Sequence, residues 1–238
     1  MSGKLEQHII HQYDEELRCL HLHVCEMGQL VLGQLCLSLE SLRTRNLELA
    51  KETIHREREV NWFEVSTDTE IFNLLAKRCP IASDLRTVMA SSRIINTLER
   101  IGDEAAKLAN FVVFLNTKEG GDPEQCPLDD VYKMGKMTVE IVRDAIAAHE
   151  TLDEAKAREI SVRQGDLTRE FKNSLQGLMS RPREGGYNIG NSVNVSLMLK
   201  ALEKIGNHAE NIAESIVFEV SGLDTRREPH ATGRDSHR

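Results

Sequence analysis

Glu99 and Asp103 are the residues of this chain whose type and spacing best suit chemistry. Four steps of about 100° bring two side chains within roughly 40° of each other on a helix, one turn apart. Ala106 and Asn110 continue that stripe, and Leu98, Ile101, Ala105, Leu108 and Val112 form an apolar face beside it. Gly102 lies next to the carboxylates, where a missing side chain lets another helix or a ligand come close. A second stripe, Glu57, Asn61, Glu64 and Asp68, advances by four, three and four residues and so also keeps to one face. If the two helices pack antiparallel, the acidic stripes can face each other. Clustered carboxylates repel unless protonated or neutralised by a cation, and paired carboxylates on facing helices are how bundles build metal sites. Oxygen ligands suit hard cations, or iron or manganese, more than copper. The plain alternative is a solvated helix face whose acids pair with Arg56, Arg58 and Arg100.

The elements that must position these residues read as long helices. Ile9, Ile10, Tyr13, Leu17, Leu20, Val24, Met27, Val31 and Leu35 recur at helical spacing within residues 5–42. A polar break at Thr44-Arg45-Asn46 precedes a second helix from about Leu47 to Lys77, which Cys79-Pro80 ends. A third runs from Ser83-Asp84 to about Asn116, and Gly120-Gly121-Asp122-Pro123 reads as a linker. Pro127 suits the first turn of a fourth helix, with Asp129 and Asp130 near its positive end. Thr151 and Glu154 have capping-box spacing, which makes Thr151 the N-cap of a fifth helix reaching about Ser180. Arg181-Pro182 and Gly185-Gly186 interrupt it, a sixth helix spans about Ile189 to Ser221, and the polar tail from Thr225 is expected to be disordered.

The second half repeats the first. Leu98–Phe114 aligns without gaps to Leu202–Phe218 with eight of seventeen residues identical, including a shared Leu-Glu-x-Ile-Gly. An internal duplication with a period near 104 residues follows, and with it an all-α fold of two tandem homologous three-helix bundles, at 5–118 and 125–222, before a tail at 223–238. Only 4% of residues are aromatic, which argues against a large sandwich or barrel. In the second copy Glu203 repeats Glu99, but Asn207 replaces the counterpart of Asp103, and Gln164 and Thr168 stand as neutral residues on the matching fifth helix. Glu210 and Glu214 extend that stripe. Asp166 and Glu170 are a separate pair four residues apart.

A formal charge of −8 disfavours a general nucleic-acid or anionic-membrane surface. No run matches the roughly 18 apolar residues of a membrane span, and the opening residues are no secretory signal. Five cysteines without paired spacing fit a reducing cytoplasm, with Cys19, Cys25 and Cys36 expected as small core residues. His8, His11, His21 and His23 lack a compact closed ligand set and read as surface histidines, while His208 is a local ligand or a polar helix residue. Glu52-x-x-His55 is the single Glu-x-x-His, whereas a ferritin-type di-iron centre wants two. No phosphate-binding glycine loop, nucleophile elbow or zinc-type cysteine pairing is present, and nothing nominates a nucleophile.

Pro80, Ala82-Ser83-Asp84-Leu85-Arg86, Leu98-Glu99-Arg100-Ile101-Gly102-Asp103 and the partial repeat Leu202-Glu203-Lys204-Ile205-Gly206 together resemble the PhoU family. Gln12-x-x-x-Glu16-Leu17, Met27-Gly28 and Asn61-x-x-Glu64-x-x-x-Asp68 also fit it, so the resemblance covers about residues 5–222. It implies a non-enzymatic cytoplasmic accessory protein of phosphate-specific transport that represses the phosphate-starvation response. The implied partners are the ATP-binding subunit of a phosphate ABC transporter, a phosphate-sensing histidine kinase and a second copy of the chain, with no nucleic acid and no membrane insertion. Family members bind metals through Glu/Asp-x-x-x-Asp motifs, with iron, zinc, manganese and magnesium as candidates. Carried onto this chain, those motifs assign Glu57, Asn61, Glu64, Asp68, Glu99 and Asp103, then Glu203 with Asn207 and Glu210 in the weaker second copy. The divergent second motif and the cysteine-rich first helix suggest a paralogue whose partner differs. A carboxylate-bridged metal enzyme on the same bundle, or a metal-free structural adaptor, are the rival readings.

Overall fold

A computed structural model describes residues 2–117, 128–180 and 189–224, with side chains from residue 12 in the first segment and from 190 in the last. Six helices follow in order: α1 (Ser2–Thr44), α2 (Leu47–Arg78), α3 (Ala82–Leu115), α4 (Asp129–Thr151), α5 (Glu154–Ser180) and α6 (Ile189–Ser221). There is no strand among the described residues. The expected linker, Pro127, the break at 181–186 and the tail from 225 lie outside them.

Turn chemistry explains the helix ends. Arg45 takes a left-handed φ of 53°, and Asn46 then caps α2, its side-chain oxygen accepting from the backbone N–H of Glu48 (2.9 Å) and of Leu49 (3.3 Å). Cys79 closes α2 in the left-handed region at φ 47°, one residue before Pro80. The α4–α5 turn copies the first: Leu152 has φ 48°, and the Asp153 carboxylate accepts from Lys156 N–H at 3.1 Å. Thr151 is therefore not the N-cap that its spacing to Glu154 suggested. It is the last residue of α4, and its hydroxyl donates to the Ala147 carbonyl at 3.0 Å, as Thr44 donates to Glu40 at 2.7 Å. Replacing Asn46 with Ala leaves two first-turn amides without their acceptor. We expect a loss of about 1 kcal/mol, or roughly 2–4 °C in the thermal midpoint, read by circular dichroism.

Each half is a three-helix bundle. α2 packs on α1 and α3, and α5 packs on α4 and α6. The halves meet through α3 against α6 and α1 against α4. One continuous apolar core runs through both, from Val24, Met27, Val31 and Leu35 on α1 through Ile94, Leu98 and Ile101 on α3 to Met134, Ile141, Met198, Leu202 and Ile205. A smaller cluster of Leu20, Ile71, Leu74 and Val88 fills the far end of the first half. Arg78 seals that end with two hydrogen bonds to the Glu16 carboxylate, at 2.8 and 2.7 Å. The guanidinium holds Glu16 below the ordinary carboxylate range.

Two expectations about α1 change. Residues 12–44 are long and apolar enough to cross a membrane by length and composition, contrary to the reading of the sequence. Packing against α2, α3 and α4 accounts for that apolarity. Cys19 and Cys36 are exposed and Cys25 is half-buried, because each stands one residue off the core stripe of Leu20, Val24 and Leu35.

Candidate metal centre

Helices α2 and α3 bring the two acidic stripes of the first half together. Leu98, Ile101, Ala105, Leu108 and Val112 are buried, which fixes the rotation of α3 and turns Glu99 and Asp103 to the edge of the seam. Val60 and Thr67 do the same for α2, leaving Glu57 and Glu64 half-buried and Asn61 and Asp68 exposed. Gly102 sits where the helices close. A Cβ there would meet the Gln34 Oε1 at 3.0 Å and Val60 Cγ1 at 3.3 Å, so the residue makes room for neighbouring helices.

The electrostatics mark a cluster. Glu64 is raised above its ordinary value by partial burial, then by Asp68 and Asp103. Glu99 is raised by burial, then by Asp103, Glu64 and Glu57, and Arg100 opposes both shifts. Glu64 and Glu99 thus each feel neighbouring carboxylates, and ionising the whole cluster together is unfavourable without a counter-charge. Among the described residues none of the five carboxylates forms an ion pair. Arg56 turns instead to Glu52, at 2.9 Å. Carboxylates that gather on one seam, repel one another and form no ion pair among the described residues are a donor set that fits a hard cation. No three of their oxygens come within 4.8 Å of one another, so a cation would draw the side chains inward.

The second half is built on the same register with different chemistry. Ala50, Thr53, Val60 and Thr67 on α2 correspond to Ala157, Ile160, Leu167 and Ser174 on α5, all buried. Leu167 lies against Gly206 as Val60 lies against Gly102. In that register Gln164 stands for Glu57 and Thr168 for Asn61, while Phe171 and Leu175 replace Glu64 and Asp68. The Gln164 amide donates to Asn207 Oδ1 and to the Thr168 hydroxyl, the latter at 3.0 Å. Lys200 pairs with Glu203 at 2.7 Å and lies 5.3 Å from the centre of the Phe171 ring. Glu210 is half-buried on the same face of α6. Asp166 pairs with Arg169 and Glu170 with Lys133, so both are surface ion pairs. His208 is half-buried near Arg100, Glu104 and Lys204, and burial lowers its imidazole. The second site is thus a neutral hydrogen-bonded trio beside a compensated glutamate.

Sequence reasoning passed over one group. His21, Cys25 and His149 are the only His, Cys, Asp or Glu set among the described residues whose ligand atoms all lie within 4.8 Å of one another. Cys25 follows His21 by one helical turn, a signal present in the sequence, but the approach of α4 with His149 is a tertiary fact.

Known proteins resemble this chain along most of its length. The PhoU domain matches it twice, at residues 24–112 and 131–216. The phosphate-specific transport system accessory protein PhoU homolog of Pseudomonas putida is 33% identical over 222 residues, covering 93% of this chain and 86% of that protein. The Escherichia coli phosphate-specific transport system accessory protein PhoU is 30% identical over 225 residues, covering 94% and 92%. In crystal structures, PhoU from Pseudomonas aeruginosa superposes with a TM-score of 0.81 at 30% identity over 89% of this chain and 100% of that one. Two copies of the domain, in sequence and in the repeated bundles that carry it, place this chain in the PhoU family.

Proposed function

We propose that this chain is a cytoplasmic, non-enzymatic regulator of phosphate uptake that represses the phosphate-starvation response. In this reading it acts as a homodimeric adaptor between the ATP-binding subunit of a phosphate transporter and a phosphate-sensing histidine kinase. The observation that carries the proposal is the double PhoU domain, shared with relatives named as accessory proteins of phosphate transport. The surface supports an adaptor. Trp62, Val65 and Phe72 stand 66%, 65% and 72% exposed along the outer side of α2, a stripe suited to covering by another protein.

Beside that stripe, Glu57, Glu64, Asp68, Glu99 and Asp103, with Asn61 as a neutral oxygen donor, would hold a hard cation such as iron, manganese or magnesium. Glu203, Asn207 and Glu210 would form a weaker second site. The cation would neutralise the acidic seam and stiffen the α2–α3 face next to the exposed aromatics.

Deletion of the gene under phosphate-replete growth tests the regulatory reading. Alkaline phosphatase expression and phosphate accumulation should both rise, and a plasmid copy should restore them. Normal levels of both in the deletion strain would refute it.

A further inference from the structure

We propose that His21, Cys25 and His149 form a site for a thiophilic cation of the zinc class, which ties α1 of the first half to α4 of the second. His21 and Cys25 lie on adjacent turns of α1, with Cys25 Sγ 3.7 Å from His21 Nε2. Ligands at tetrahedral angles around zinc, with Zn–N and Zn–S bonds near 2.0–2.3 Å, are themselves about 3.5 Å apart. That pair already has nearly the separation a shared cation requires. His149 comes from the last turns of α4, its ring centre 4.6 Å from that of His21.

The independent observation is the state of His149. Its side chain is only 2% exposed, and neither ring nitrogen has a hydrogen-bond partner. A buried imidazole almost always finds a partner, because its N–H and lone pair otherwise lose their water without return. A cation shared with His21 and Cys25 supplies what one of these nitrogens lacks. Burial and the neighbouring His21 hold the ring down to about 3, so at neutral pH it is uncharged with its lone pair available. Two nitrogens and a sulfur suit zinc or copper(I) and are poor ligands for magnesium or manganese. Burial, Glu150 and Glu26 keep the Cys25 thiol protonated at neutral pH. On binding, Zn²⁺ forms the Zn–S bond, the S–H bond breaks, and the proton leaves to solvent. A water completes the coordination, since Cys25 and His21 are only half-buried. The donor set differs from the acidic seam of α2 and α3, so the two sites select different ions.

The test is a titration of the full-length, tag-free, metal-depleted chain with Co²⁺, followed by competition with Zn²⁺. Wild type should take up one Co²⁺ with a sulfur-to-cobalt charge-transfer band, which Zn²⁺ abolishes. Cys25→Ser should lose the band, and Glu99→Ala/Asp103→Ala should keep it, because carboxylates give no such transition. If Cys25→Ser loses its helical circular dichroism, His21→Gln at the half-exposed ligand must lose the band instead. Absence of the band in wild type, or its persistence at full strength in the folded ligand variant, would overturn the proposal.

Discussion

Loaded with Mn²⁺ and passed through a desalting column, the Glu99→Ala/Asp103→Ala double variant is expected to retain only a small fraction of the manganese held by wild type. Glu203→Ala should retain most of it. The asymmetry follows from what surrounds each glutamate. Glu99 lies with Asp103 on α3 and near Glu57 and Glu64 of α2. Burial raises its proton affinity most, and these three carboxylates add a negative field that a cation would relieve. Glu203 already has Lys200 at 2.7 Å, and the other residues of that register are neutral, with the Gln164 amide bonded to both Thr168 and Asn207. A hard cation is held mainly by charge, so the half with five carboxylates should dominate. Manganese is the chosen probe because sulfur and imidazole compete poorly for it. Metal-to-protein ratios decide the matter: equal losses, or a larger loss from Glu203→Ala, would sink the idea of a first-half site.

Glu219→Gln should make the protein more stable at pH 8 and leave it nearly unchanged at pH 4.5. The Glu219 side chain, 7% exposed on α6, has one carboxylate oxygen without a partner. Burial raises it to about 7, and the hydrogen bond with Thr87 opposes this only in part. Arg86 does not neutralise it, since its Nε reaches the Glu219 backbone carbonyl at 3.5 Å. The folded state therefore binds a proton that the unfolded chain releases between about pH 4.5 and 7. Stability falls as pH rises through that window, and the cost is complete above it, on the order of 2–4 kcal/mol. Glutamine keeps the shape without the charge, so the gain should appear only on the alkaline side. Urea melts of both proteins at the two pH values check this, and parallel curves at both would rule it out.

Much of the architecture was legible because the chain states it twice. Leu-Glu-x-Ile-Gly at 98–102 and 202–206 lines up α3 with α6, and Cys79-Pro80 marks the end of α2 without ambiguity. The same repetition could have corrected the one misplaced cap. Thr44-Arg45-Asn46 and Thr151-Leu152-Asp153 are matching turns, and in both the third residue caps while the threonine bonds backward. Two side chains with capping ability stood two residues apart, and a left-handed residue between them decided which one served.

The acidic seam was readable from period alone, since α2 and α3 are consecutive and must lie together. The His21–Cys25–His149 group was not. Its members are separated by most of the first half, and nothing in helical spacing says that the last turns of α4 return to the middle of α1. The cysteines failed for a smaller reason. A shift of one residue turns a side chain about 100° around a helix, enough to carry Cys19 and Cys36 from the core to solvent.

The seam between the halves has a further consequence. Within it each helix meets its own counterpart, α3 against α6 and α1 against α4. Contact of like with like is the pattern of a two-fold symmetric dimer interface, here closed within a single polypeptide. A lone copy of the repeat would leave that face bare and would need a twin to cover it. Joining the copies replaces a concentration-dependent encounter with an intramolecular one and raises the effective concentration of the partner face. It also frees the two copies to diverge, so that one can keep its carboxylates while the other exchanges them for a neutral clasp. A symmetric pair of separate chains has no such freedom, because every substitution in it occurs twice.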